Sequence, residues 1–220
     1  MNNYTYATPQ ARTRPAVGLL PKVTSLFVFS CLATAAGAYI GRNLPFINPL
    51  LFLVVVLGSL FALQAVRKIE PINVIALYAF NLVIGLMIAP IINYYASSQG
   101  GPQLIAEAMV VSGAVFSGAA AFGWATETNL QPLARYLVAG LFGVIAIGLL
   151  SFFFLHSAGI AMVYNWVVVA LFVGFTAVDF QRIRRLYPAD EYVLATVAIY
   201  LDFLNIFLAV LSILGGGRRR

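Results

Sequence analysis

Charge is what this sequence has least of. Only 9% of its 220 residues are Asp, Glu, Lys or Arg, and 62% are hydrophobic. Soluble domains run near 25% charged and 45–50% apolar. Mean hydropathy is +0.94. A soluble fold of this length has no interior able to hide so much apolar surface. A soluble enzyme, a disordered protein and a disulfide-stapled secreted module are therefore excluded. The single cysteine, Cys31, forms no internal disulfide and reads as a packing residue in an apolar run. The single histidine, His156, sits at the end of an apolar run and reads as interfacial. No metal-spaced Cys/His set, Walker loop or dinucleotide glycine fingerprint occurs. The only lysines are Lys22 and Lys68, so the last apolar run has no Schiff-base lysine for retinal. One histidine and no G-x-S-G exclude a rhomboid-type serine protease. Asp179 follows T-A-V and Asp202 follows I-Y-L, so neither sits in the Y-D or G-x-G-D setting of intramembrane aspartyl proteases. No enzymatic activity is expected, and no resident cofactor.

What is abundant is long apolar runs, near 22–41, 48–66, 72–95, 103–124, 134–155, 160–185 and 190–213. A membrane helix needs roughly 20 residues, so the pattern predicts an all-α bundle of seven transmembrane helices. Residues 22–215 form the membrane domain, 1–21 a disordered polar arm and 216–220 a basic tail. The arm does not read as a signal peptide, because the run after it is long enough to span and no small-residue cleavage site follows. Pro45, Pro49, Pro71, Pro102, Pro132 and Pro188 lie in or beside the gaps. Pro90 lies inside the third run and predicts a kink. Gly113, Ala114, Ser117, Gly118 and Ala121 share one face of the fourth span and predict a close helix–helix approach there.

Lys and Arg are expected to face the cytoplasm and lipid headgroups, not nucleic acid. Seven spans put Arg12, Arg14, Lys22, Arg67, Lys68, Arg135, Arg182, Arg184 and Arg185 on one side, nine in all. Arg42 and the terminal Arg218, Arg219 and Arg220 fall on the other, four in all. The count places the N-terminus in the cytoplasm. A re-entrant last segment would make it twelve against one, so an odd and an even crossing number stay open here.

Of seven acidic residues, Glu70 and Glu127 fall in loops, and Asp190 and Glu191 open the last helix, where they favour the helix dipole. Asp179 and Asp202 lie inside apolar runs, VGFTAVDF and AIYLDFLNIF. An ionisable group near the bilayer centre costs at least about 2.5–3.5 kcal/mol and is functional by default. The two flank a turn near 188–190 about symmetrically, so an antiparallel hairpin sets them at matching depth. They are then either one dyad or two separate acids, each paired with an Arg or Asn. A dyad cannot ionise twice without cost, so it titrates in two steps. Deprotonated, it offers hard oxygen ligands to a cation such as Ca²⁺. Arg67 and Lys68, at the end of the second span, are candidate counter-charges to the pair, with Arg67 otherwise a topology and headgroup residue. Glu107 either faces a cavity mouth or snorkels to the interface. Asn81, Asn165 and Asn205 are expected to make interhelical hydrogen bonds, with Asn205 a candidate pore-facing group beside Glu107.

The last third carries a resemblance. From Asp179 through QRIRR to A-I-Y-L-D-F-L-N-I-F-L-A-V-L-S-I-L-G, it resembles the closing signature of the Bax inhibitor-1/YccA family, the lifeguard superfamily. R-K-I-E-P-I-N-V after the second span resembles that family's basic, Pro and Asn approach to its third helix. A-x-x-x-S-G-A-V-F-S-G resembles its small-residue helix. The resemblance covers most of 22–215. It implies a seven-helix bundle with the last helix central, and a pH-sensitive Ca²⁺ leak gated by a di-aspartyl pair, here Asp179 and Asp202. It also implies an Arg latch at the end of the second span, here Arg67. The GGGRRR tail departs from the Lys-rich tail of eukaryotic members, and Glu107 is not part of the family pattern.

Two functions follow as expectations. One is the proton-gated cation leak, closed when the aspartates share a proton and loosened when they lose it. The other is a non-transporting regulator that binds membrane proteins such as a protease or its substrates, motivated by the small-residue face. A proton-coupled transporter lacks the repeat symmetry and broken helices that would support it. The expected location is a bacterial inner membrane.

Overall fold

The computed structural model describes residues 18–98, 100–154 and 158–217. They form α1 (Leu19–Ile40), α2 (Pro49–Val66), α3 (Ile72–Ala96), α4 (Gly101–Ala125), α5 (Gln131–Phe154), α6 (Ala158–Arg185) and α7 (Tyr192–Gly217). Single 3₁₀ turns occupy Gly41–Asn43 and Ala189–Glu191, and no strand occurs among the described residues. All seven helices are long and apolar enough to cross a membrane. The chain is an all-helical integral membrane protein. The helix expected from residue 22 begins at Leu19, because Pro21 falls in the first turn, where no intrahelical N–H is required. The rest of the arm, His156 and Arg218, Arg219 and Arg220 lie outside the described residues.

Local signals set the helix starts. Asn48 caps α2, its Oδ1 accepting from Leu50 N at 2.8 Å, with Pro49 as the first helical residue. Gly100, at φ 71°, takes the left-handed turn that admits α4, and Pro102 follows inside it. The loops beside Lys22, Arg67, Lys68, Arg135 and Arg182 lie at one end of the bundle, the basic face. The α1–α2 and α3–α4 connections lie at the other, the far face.

In lipid, apolar side chains gain little by leaving the solvent, so packing of small residues and buried polar contacts holds helices together. The tightest contact joins α1 to α3. Gly37 and Gly85 face each other so closely that a Cβ on either would land on backbone atoms of the other helix. Gly41 continues this contact over Ala89 and Leu86 O, the carbonyl that Pro90 leaves without a helical donor. Beside it runs a buried polar ladder. Thr34 Oγ1 and Tyr200 OH lie 2.7 Å apart, and Asn81 Nδ2 donates to Ser30 Oγ at 2.7 Å.

The face expected to bring a neighbour onto α4 does not. Gly113 and Gly118 border open space, and Ala114, Ser117 and Ala121 are exposed. α4 turns Leu104, Ala108, Ser112, Phe116 and Ala119 inward and makes its close approach at Gly123, against Ala177 of α6. Small residues line more than one face of this helix, and its larger inward side chains select which one packs.

α7 lies against α1, α3, α4 and α6. It is the most buried of the seven helices, and α2 is the least. It crosses the whole bundle. Gly215 reaches Tyr95 at the far end of α3, and Ser212 Oγ accepts from Asn165 Nδ2, near the start of α6, at 2.9 Å. The re-entrant alternative is thereby removed.

Candidate functional site

Asp179 lies six residues before the end of α6, and Asp202 lies ten residues after the start of α7. Along the helix axes these are about 9 Å and about 15 Å. Counted from the helix ends, Asp202 lies about one turn farther from the connection than Asp179, because residues 186–191 form a loop and a 3₁₀ turn. Helical side chains lean toward their own N-terminus. In an antiparallel hairpin, Asp179 therefore leans away from the turn and Asp202 toward it, so the leans converge. Both residues are buried, at 5% and 4% exposure, and Asp202 feels the charge of Asp179.

The surroundings of the two acids differ. Asp179 Oδ1 accepts from Arg182 Nη1 at 3.0 Å, and Arg182 Nε donates to Gln131 Oε1 at 3.0 Å. Thr176, whose hydroxyl donates to Phe172 O at 2.7 Å, stands beside Asp202. Asp202 Oδ2 has no hydrogen-bond partner among the described residues. Tyr187, in the loop, feels both acids. Burial first, and the Asp179 charge second, push its phenol up to about 12.

Arg67 does not latch onto this pair. It caps the end of α2 at the level of the α6–α7 turn, and its Nε lies 3.6 Å from Glu191 Oε2. Lys68 Nζ completes that knot, 3.2 Å from both Asp190 and Glu191, and these carboxylates raise its pKa. Asp179 lies deeper, and Arg182, three residues on along the same helix, reaches it first. Asp190 and Glu191 thus serve as ion-pair partners in the 3₁₀ turn before α7.

Two further knots fasten the basic face. Lys22 Nζ sits 3.2 Å from the centroid of the Tyr192 ring and 3.8 Å from Glu70. Tyr192 OH donates to Glu70 Oε1 at 2.5 Å and accepts from Asn73 Nδ2 at 2.8 Å. Between α4 and α6, Glu127 takes Arg184 and Arg185, each at 2.6 Å, and the Arg184 guanidinium lowers its pKa. Arg184 also donates to Trp124 O.

The remaining candidates do not join the dyad. Glu107 Oε1 accepts from Gln103 Nε2 at 3.0 Å near the far face. Asn205 Nδ2 donates to Leu201 O of its own helix at 2.7 Å, where an interhelical bond was expected. Asn81 and Asn165 do bridge helices. Among the described residues, no three His, Cys, Asp or Glu converge as a metal cluster. Arg182, Thr176 and Tyr187 were not singled out from sequence. For Arg182 the i, i+3 spacing to Asp179 was the legible signal.

Seven apolar spans, the last two each carrying a buried aspartate, define a polytopic membrane protein. The chain belongs to the family described as "Inhibitor of apoptosis-promoting Bax1", which matches residues 17–219. It is similar to mouse "Protein lifeguard 4", at 29% identity over 96% of this chain and 90% of the relative. It is also similar to an "Uncharacterized membrane protein" of Vibrio cholerae, at 30% over 88% and 87%. The "Golgi anti-apoptotic protein" of vaccinia virus strain Lister is 27% identical over 96% and 91%.

Proposed function

We propose that this protein is a pH-sensitive cation leak, with Ca²⁺ as the ion, gated by Asp179 and Asp202. The observation that carries this reading is the placement of two buried carboxylates within each other's field on the hairpin α6–α7, one of them with an unpartnered oxygen. Sharing a proton holds α6 to α7. Losing it sets two charges against each other, loosens the hairpin and leaves hard oxygens for a divalent cation. Ca²⁺ is cargo here, with no resident cofactor and no catalytic step. The excess of basic residues at the α6–α7 end orients that face, and the N-terminus, to the cytoplasm. The bacterial relatives support an inner-membrane location.

A second reading is a non-transporting regulator that binds other membrane proteins. The exposed face of Gly113, Ser117 and Gly118 favours it, because a partner helix could pack closely there. Liposomes holding a calcium dye, scanned from about pH 5 to about pH 8 across the range where a perturbed carboxylate titrates, separate the two. A leak that grows with pH, and that Asp179→Asn and Asp202→Asn each alter, supports the gate. No flux at any pH from folded, inserted protein overturns it in favour of the regulator.

A further inference from the structure

We propose that a cavity between α1 and α4 is a binding site for one acyl chain of an anionic phospholipid, with the lipid's phosphate held at Arg42. This site stands apart from the aspartates and does not depend on the leak.

α1 and α4 both pack on α7, yet in the far half of the bundle a cavity of about 170 Å³ separates them. Ala35 and Ala38 form a low wall on α1, Ile105 and Met109 form the wall on α4, and Phe203 lies on the floor. Toward the bundle centre the gap closes. Phe27 of α1 stacks on Phe116 of α4 at 5.4 Å, and Phe203 meets both edge-on at 5.5 Å.

The chemistry of the lining selects the occupant. The walls are almost wholly apolar. The polar side chains Thr34 and Tyr200 are turned to each other at 2.7 Å. Beyond the weakly polar thiol of Cys31, a water or a cation finds no spare ligand there. An apolar cavity of roughly 150 Å³ in a soluble protein stays dry and takes benzene. Here the mouth opens on hydrocarbon. Met109 at the rim is 45% exposed, and its neighbour Val110 and Leu32 of α1 belong to the surface that faces lipid. The cavity is continuous with the bilayer contact of the bundle, and filling it restores dispersion contacts that the bare walls lack. It is too small for a helix, which with side chains is about 10 Å across.

The headgroup end is also marked. Arg42 follows Ala38 by four residues at the close of α1, is exposed, and sits over the Tyr39 ring at 4.5 Å. Aromatic and basic side chains stand at headgroup level. A guanidinium takes a phosphate through paired hydrogen bonds. Among the described residues, Arg42 is the basic residue of the far face.

The test uses the full chain in nanodiscs containing phosphatidylglycerol with a diazirine on one acyl chain, followed by peptide mass spectrometry after irradiation. Label is expected to concentrate in residues 31–38 and 105–109, and Ala38→Phe is expected to abolish it there. If Ala38→Phe does not fold, Met109→Trp fills the cavity from the other wall. Arg42→Gln should keep the label but erase the preference over a phosphatidylcholine probe carrying the same chain. Label spread evenly over α2 and α5, or unchanged by a folded cavity-filling variant, overturns the site. Equal labelling by the two probes with Arg42 intact overturns the headgroup contact.

Discussion

Gly85→Ala tests the packing logic of the bundle. The new methyl would meet Thr34 O, Ala38 N and Gly37 Cα, all backbone atoms of α1, so no side chain can rotate away. Overpacking of this kind costs about 1–3 kcal/mol, and rigid backbone neighbours put this case near the upper end. Replacing a helical glycine by alanine returns at most about 1 kcal/mol. The forced separation of α1 from α3 also strains the Thr34 contacts, at 2.7 Å to Tyr200 OH and 3.2 Å to Asn81 O. One such hydrogen bond contributes about 1 kcal/mol. The net expectation is a loss of about 3 kcal/mol, from about 3 for the clash, about 1 for the hydrogen bond and about 1 returned. Gly118→Ala is the control. Its methyl enters open space, so stability should stay level or rise by up to about 1 kcal/mol. Reversible unfolding in mixed micelles, followed by tryptophan fluorescence, measures both. A Gly118→Ala cost equal to that of Gly85→Ala would refute the assignment of packed and lipid-facing glycines.

Arg182→Gln should destabilise by about 1.5–3 kcal/mol, the range for a hydrogen bond to a charged group. Arg67→Gln, a partly exposed pair, should cost under about 1 kcal/mol, and the reverse order in the same assay would restore Arg67 as the latch. Tyr200→Phe keeps the ring and loses the Thr34 contact, so about 1 kcal/mol should go. A larger loss would mean that the hydroxyl organises the whole α1–α3–α7 ladder. Arg184 and Arg185 hold the folded pKa of Glu127 below its ordinary 4.5. The stability this carboxylate lends is therefore present above about pH 4.5 and lost as pH falls through the lower folded value. The protection of residues 126–131 against hydrogen exchange, taken relative to the intrinsic rate at each pH, should fall in acid for wild type and stay level in Glu127→Gln.

Span number, helix limits to within a few residues and the singular character of Asp179 and Asp202 were legible without a structure. Each rests on a one-dimensional quantity: length of apolar run, position of proline, charge inside that run. The basic count likewise sorted the loops into a crowded and a sparse face. The α1–α3 contact was legible in principle, since Gly37 and Gly41 face Gly85 and Ala89, both pairs at four-residue spacing. It was hidden behind the longer row of small residues in α4.

Only the tertiary structure decided which small face packs, because glycine and alanine mark every close approach alike and the inward bulk of Leu104 and Phe116 makes the choice. It decided that Arg182 holds Asp179 and that Arg67 belongs to Glu191. Charge partners depend on position along two helices and on the faces those helices turn to each other, which residue counting does not give. It decided that α7 crosses fully, through Gly215 against Tyr95. Sequence by itself determined that this chain lives in the bilayer and carries two acids there. Their burial, their separate environments and the apolar cavity at the far face arise from residues far apart in the chain, brought together only by the way seven helices pack.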